Sequence, residues 1–267
     1  MARIKLGICL KSLGLPFRRS LPQAQKLGVQ GIELEAAGEL LPQNLTQTGR
    51  REITHLLRSH DLTVSALTCP LRRGLDDAQD LEPRLEQIRL TMALAFELGP
   101  RLVIIPPGRV APPIDEPIDG VAPKEDPRAA LMKESLEALG KHGDRTGVIV
   151  ALDAGLDEPA ALVAHLDRFG VGSLAVNFNP ANLVLNGANP YDAVRTYARR
   201  LVHAHAQDAR RISPSKLATV PLGHGDIDWL QLLANFEEIE YRGYFTVLGD
   251  NQTELAASAG FLRRFLA

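Results

Sequence analysis

The chain has 267 residues, a formal net charge of −2 and 45% hydrophobic residues, enough to bury one large core and close to the usual size of a single eight-fold barrel. Its charges are scattered, so no basic stripe offers itself to a nucleic-acid backbone or an anionic membrane surface. Cys9 and Cys69 are too few and too far from any His-Cys spacing for a disulfide framework or a structural zinc site; with no cleavable leader pattern and no apolar run of about 18 residues, a cytoplasmic protein with reduced thiols is expected.

In chain order, short β-branched or apolar runs alternate with longer amphipathic segments, the pattern of parallel strands joined by crossover helices. Strands are expected at Ile4–Cys9, Gly31–Glu35, Thr63–Thr68, Arg101–Ile105, Val148–Asp153, Leu174–Asn179, Leu201–His205 and Tyr244–Leu248. Helices are expected around Leu21–Leu27, Arg50–Ser59, Leu81–Leu98, Arg128–Thr146, Glu158–Arg168, Pro190–Arg200, Trp229–Glu240 and Thr253–Leu266. Gly28, Gly99, Gly147, Gly170 and Gly243 fall shortly before strands, where a residue tolerating positive φ can stop a helix. An open doubly wound sheet shows the same alternation, but the Gly-rich first turn that would cradle a dinucleotide is missing after Ile4–Cys9. The expected fold is therefore α/β, a single (β/α)8 barrel over residues 1–267.

One connection is long. Seven prolines, Pro106, Pro107, Pro112, Pro113, Pro117, Pro123 and Pro127, lie between Ile105 and Arg128; they favour extended backbone and could make a stiff lid over the barrel mouth.

Residues two apart on a strand share a face, and polar groups inside a barrel are costly unless paired, so they gather at the mouth where chemistry happens. Glu33 and Glu35 on the second strand, Asp153 on the fifth, Asn177 and Asn179 on the sixth, and His203 and His205 on the seventh are expected to face the lumen. Ile32, Leu34, Val176, Phe178, Val202, Phe245 and Val247 are then left to pack outward against helices. A lone histidine at a strand end is more often structural than functional, but four strands with polar tips at matching depth point to a site.

Six segments, GVQGIELEA (Gly28–Ala36), VIVALDAG (Val148–Gly155), AVNFNPANL (Ala175–Leu183), LVHAHAQD (Leu201–Asp208), GHGDIDW (Gly223–Trp229) and YRGYFTVLGD (Tyr241–Asp250), resemble in order the xylose isomerase-like barrels, a superfamily of sugar isomerases and epimerases related to endonuclease IV. The resemblance implies a divalent metal (Mn, Mg, Co or Zn) held by a strand-five Glu, a strand-six Asp, a strand-seven His and a strand-eight Glu. The matching positions here hold Asp153, Asn179, His205 and Leu248, and the His that often follows the strand-six acid is matched by Asn182. Asp153 is one methylene short, Asn179 lacks a full charge and Leu248 offers no ligand, so metal affinity should suffer. Leu248 also cannot exchange a proton, which leaves a one-carboxylate reaction with Asp153 as the catalytic group beside Glu33 or His205.

Arg211 matches a substrate-contacting Arg of the ketose epimerases. His224, in the tight loop leading to an Asp-capped helix, together with His203, Asn182, Arg73 and Arg109, completes the candidate substrate-binding set, with Arg72 beside it. Two readings follow. One is an isomerase or epimerase of a sugar, sugar phosphate or sugar acid, possible as a homo-oligomer; the other is a non-catalytic barrel that binds a polyol-like ligand or a protein. The abasic-site chemistry of endonuclease IV needs three zinc ions and a His cluster that this sequence lacks.

Overall fold

The computed structural model describes residues 4–110, 126–213 and 216–266. Eight parallel strands close into a barrel: β1 (Lys5–Cys9), β2 (Gly31–Glu35), β3 (Thr63–Thr68), β4 (Leu102–Ile105), β5 (Ile149–Asp153), β6 (Leu174–Phe178), β7 (Leu201–Ala206) and β10 (Tyr244–Val247), with β10 closing onto β1. Around it run α1 (Phe17–Lys26), α2 (Gln47–Ser59), α3 (Leu81–Leu98), α4 (Pro127–Thr146), α5 (Pro159–Leu166), α6 (Pro180–Leu185), α7 (Pro190–Tyr197), α8 (Trp229–Glu238) and α9 (Gln252–Leu266). Among the described residues no helix is long and apolar enough to cross a membrane.

Local chemistry sets the element ends. Asp126 accepts from the Arg128 N–H ahead of α4, Pro127 takes the first helical position where its missing N–H is no loss, and Gly147 ends the helix in the left-handed conformation. Gly28 and Gly99 are also left-handed, but Gly170 and Gly243 are not; Asp61, Asp80, Arg101 and Glu240 adopt positive φ instead. Arg101, with its positive φ, lies outside β4, and Asn179 lies outside β6, where it caps α6. The segment 111–125, which carries the expected lid, lies outside the described residues.

The core is two-layered. The larger part fills the shell between barrel and helices with Ile8, Ile32, Leu34, Val176, Phe178, Phe236 and Phe245 among its members, as the outward alternation requires. A smaller cluster of Ala66, Leu102, Ile104 and Ala151 has Ile149 and Val202 against it, and the register Leu102↔Ile149 and Ile104↔Ala151 puts these on the face that Asp153 shares, inside the cylinder. Val202 thus departs from its expected outward place. Between β6 and β7 the pairing runs Val176↔Leu201 and then Asn177↔His203, so Val202 is an extra, bulged residue and the alternation restarts after it. Gly31 is obligatory at the other end of the barrel, because a Cβ there would run into the Tyr244 ring.

An antiparallel ribbon, β8 (Asp208–Ser213) with β9 (Lys216–Val220), follows β7 directly. Its charged, short strands carried no clear alternation, and the sequence pattern missed it.

Candidate active site

Asp153, Asn177 and His203 stand level on β5, β6 and β7, paired Asp153↔Asn177 and Asn177↔His203, and the β7 bulge creates that alignment. Asn177 is fully buried and joins three partners. Its Nδ2 donates to Asp153 Oδ1 at 2.7 Å and lies 2.9 Å from His205 Nδ1, while its Oδ1 is 2.8 Å from His203 Nδ1. A carboxylate only accepts, so Asp153 fixes the amide with nitrogen toward itself and oxygen toward His203. His203 Nδ1 must then donate, leaving Nε2 to accept from the Thr246 hydroxyl at 2.9 Å.

Across the lumen, His205 Nε2 donates to Glu33 Oε2 at 2.8 Å, and Thr68 Oγ1 donates to Glu33 Oε1 at 2.7 Å. The chain Thr68, Glu33, His205, Asn177, Asp153 is completed by Asn182, whose Nδ2 donates to Asp153 Oδ2 at 3.1 Å. Asp153 is its open end: the side chain is 21% exposed against 2% for Glu33 and 6% for His205.

The electrostatics follow from burial and proximity. Burial opposes a charge on Glu33, but the charge and hydrogen bond of His205 overcome it and hold the carboxyl at about 2. Burial likewise opposes a charge on His205, and Glu33 with Asp153 outweighs it, raising the imidazole to about 10. For His203 burial prevails over the more distant Glu33, 4.0 Å away, and lowers the value to about 3, so this ring stays neutral. Of two neighbouring histidines one is thus neutral and the other cationic.

The metal positions implied by the resemblance do not fit an ion. Both Asp153 oxygens accept amide N–H groups. Asn179 Oδ1 accepts the Asn182 N–H at the start of α6 and its Nδ2 donates to Gln207. Each His205 nitrogen already faces a protein partner, and the strand-eight position is Leu248, one residue past β10. A different group, Glu33, His203 and His205, does bring three potential ligand atoms within 4.8 Å of one another and is a possible metal site; two of its members, Glu33 and His205, also bond each other.

The other candidates lie farther out. Arg211 is exposed on β8 with its backbone N–H on Asp226 Oδ2, and His224 is exposed in the following loop. Arg73 pairs with Asp77 at 2.8 Å, Arg109 is exposed beyond β4, and Glu35 is held by Lys11 Nζ at 2.7 Å.

The sequence pattern also missed Asp208. This fully buried carboxylate accepts from Gly223 N, Gly225 N and Trp229 Nε1 at 3.0–3.2 Å and so ties the ribbon and the His224 loop to the end of β7. A Cβ at Gly225 would strike it. Thr246 was legible in principle, since it lies two residues before Leu248 on the same strand face.

The description "xylose isomerase-like TIM barrel" fits residues 21–265 of this chain. The uncharacterized protein YfiH of Bacillus subtilis (strain 168) is 27% identical over 234 residues, 78% of this chain and 74% of YfiH. Solved structures share the fold, three of them as follows. A xylose isomerase domain protein from Planctomyces limnophilus superposes with TM-score 0.80 at 20% identity, covering 99% of this chain and 95% of that one. The 3-keto-D-glucoside 4-epimerase YcjR from E. coli gives 0.77 at 17%, covering 98% and 100%. A xylose isomerase-like TIM barrel protein from Mycobacterium smegmatis, in complex with magnesium, gives 0.76 at 18%, covering 99% and 96%.

Proposed function

The chain belongs to the xylose isomerase-like TIM barrel family, and from that premise we propose that it is a sugar isomerase of that family, acting on a small sugar, sugar phosphate or sugar acid through the Asp153 carboxylate. The epimerase activity named for YcjR, which shares the fold, supports the substrate class.

The observation that carries this reading is the partial exposure of Asp153 next to the buried Glu33, Asn177 and His205, with both its oxygens oriented by Asn177 and Asn182. A base held this way takes a proton from the hydroxyl-bearing carbon next to a carbonyl: the C–H bond breaks, an O–H forms on Asp153, and the electron pair enters a cis-enediolate. Aldose–ketose exchange is complete when Asp153 returns its proton to the former carbonyl carbon and the hydroxyl proton passes from the one substrate oxygen to the other, so that the new carbonyl forms where the hydroxyl stood; one carboxylate serves both carbon steps. Epimerisation at one carbon needs a second proton donor on the opposite face, and Leu248 cannot serve. His205, 3.5 Å from Asp153 through Nδ1, offsets the carboxylate charge while Glu33 anchors its other nitrogen. Asn182 lies beside the reacting carboxylate; Arg211, His224, Arg73 and Arg109 are the outer groups for hydroxyl or phosphate contacts, and His203 acts from within by holding Asn177. We place the protein in the cytoplasm, working as one domain over residues 1–267 on a small-molecule substrate, with no nucleic-acid or membrane partner.

The test is solvent deuterium exchange: a panel of aldoses and ketoses, free and phosphorylated, is incubated in D2O and read by NMR. Incorporation next to the carbonyl, lost in Asp153→Asn, is expected. One observation favours a second reading, a barrel that binds a polyol without turning it over: Leu248 removes a reacting group while the remaining polar side chains pair with one another. Saturable sugar binding without exchange would establish it.

A further inference from the structure

In the resemblance, a divalent ion bridges the acid of strand five to the histidine of strand seven. Here an amide spans that gap. Asp153 Oδ1 and His205 Nδ1 stand 3.5 Å apart, a separation that an ion bonded at about 2.0–2.2 Å to each would bridge. Asn177 Nδ2 reaches both, at 2.7 and 2.9 Å. Its hydrogens bring partial positive charge to the carboxylate without a net charge of their own, and they turn N–H groups to a place where a cation needs lone pairs.

The amide is not free to rotate and offer its oxygen instead. Asn177 Oδ1 is committed to the His203 N–H at 2.8 Å, and His203 is pinned from behind by Thr246. Asn182 covers the second oxygen of Asp153 with another N–H.

We propose that the Asn177 side chain takes the place of the divalent ion, filling the gap between Asp153 and His205 and donating to the Asp153 carboxylate, and that this barrel holds its reacting carboxylate in position without a metal. The inference rests on the site of the preceding reading, but its test reads metal binding and not turnover, so the two fail separately.

Mn2+ is titrated into the wild-type chain, Asn177→Asp, Asn177→Ser and Asp153→Asn, followed by calorimetry and thermal melting. The wild type is expected to show no saturable heat and no melting shift. Asn177→Asp replaces the N–H groups with a second carboxylate and is expected to gain Mn2+ binding, with melting raised roughly 5–10 °C at about 100 times Kd; adding Asp153→Asn should abolish the gain. Should Asn177→Asp not fold, Asn177→Ser opens the same space with a neutral oxygen and is expected to gain weaker binding. The proposal is overturned by saturable Mn2+ binding to the wild type that Asp153→Asn removes, or that His203→Gln removes by dismantling the Glu33–His203–His205 group. It is equally overturned if a cooperatively melting Asn177→Asp or Asn177→Ser chain gains no binding.

Discussion

Glu33 and His205, 172 residues apart in the chain, meet across the barrel lumen at 2.8 Å with almost no solvent access. Two buried groups of opposite charge stabilise only while both are present, because removing one leaves the other desolvated and unpaired. Glu33→Gln is therefore expected to lose about 3–5 kcal/mol in urea unfolding. The Glu33→Gln/His205→Gln double variant should lose less than the sum of the two single changes. Strict additivity would show that the two side chains do not act as a pair.

The same residues set the pH profile of stability. Glu33 is depressed to about 2, so its contribution is complete above the ordinary 4.5 and disappears as pH falls through 2. His203, depressed to about 3, refuses a proton that the unfolded chain accepts below 6.5, and this also destabilises the fold from 6.5 downward. His205, raised to about 10, contributes fully below 6.5 and loses that contribution as pH climbs from 6.5 to 10. Urea midpoints should peak near pH 6.5, and His203→Gln should flatten the acid side while leaving the alkaline decline intact.

Asp208 is expected to act through the loop it holds. Asp208→Ala releases the Gly223 and Gly225 N–H groups and strands the buried Trp229 indole N–H, a donor worth about 1–3 kcal/mol when unpaired. Trp229 is the chain's one tryptophan, so its emission should shift to the red and hydrogen exchange should quicken across 209–213 and 216–226. Gly225→Ala, which drives a methyl group into the Asp208 carboxylate, should reproduce both effects.

At the reacting carboxylate, Asp153→Asn should lower exchange or turnover by about 10²–10⁴-fold, the usual worth of a positioned base. Asn182→Ala frees Asp153 Oδ2 alone, and a smaller fall in kcat with an unchanged melting temperature is expected. A matching collapse of the fold in either variant would mean that these groups hold structure and do not perform chemistry.

The strand and helix order was legible because it depends on period and punctuation: apolar alternation along each strand, Gly28, Gly99 and Gly147 at left-handed helix ends, and Asp228 capping α8. The polar set at the mouth was legible for the same reason, since residues two apart share a face. Val202 escaped because a bulge is one extra residue in one strand, defined only against the neighbouring strand. The β8–β9 ribbon escaped because exposed Arg210, Arg211 and Ile212 carry no inward face to mark it.

By itself the sequence determined which side chains each strand delivers to the mouth. Only the closed barrel decided what they do to one another: that Glu33 meets His205, that Asn177 links Asp153 to both histidines, and that Asn179 turns away to cap α6. Alternation is a property of one strand and its local geometry. Hydrogen bonding among strand tips depends on lateral register and ring closure, which bring together atoms from β2, β5, β6 and β7 that no local pattern relates.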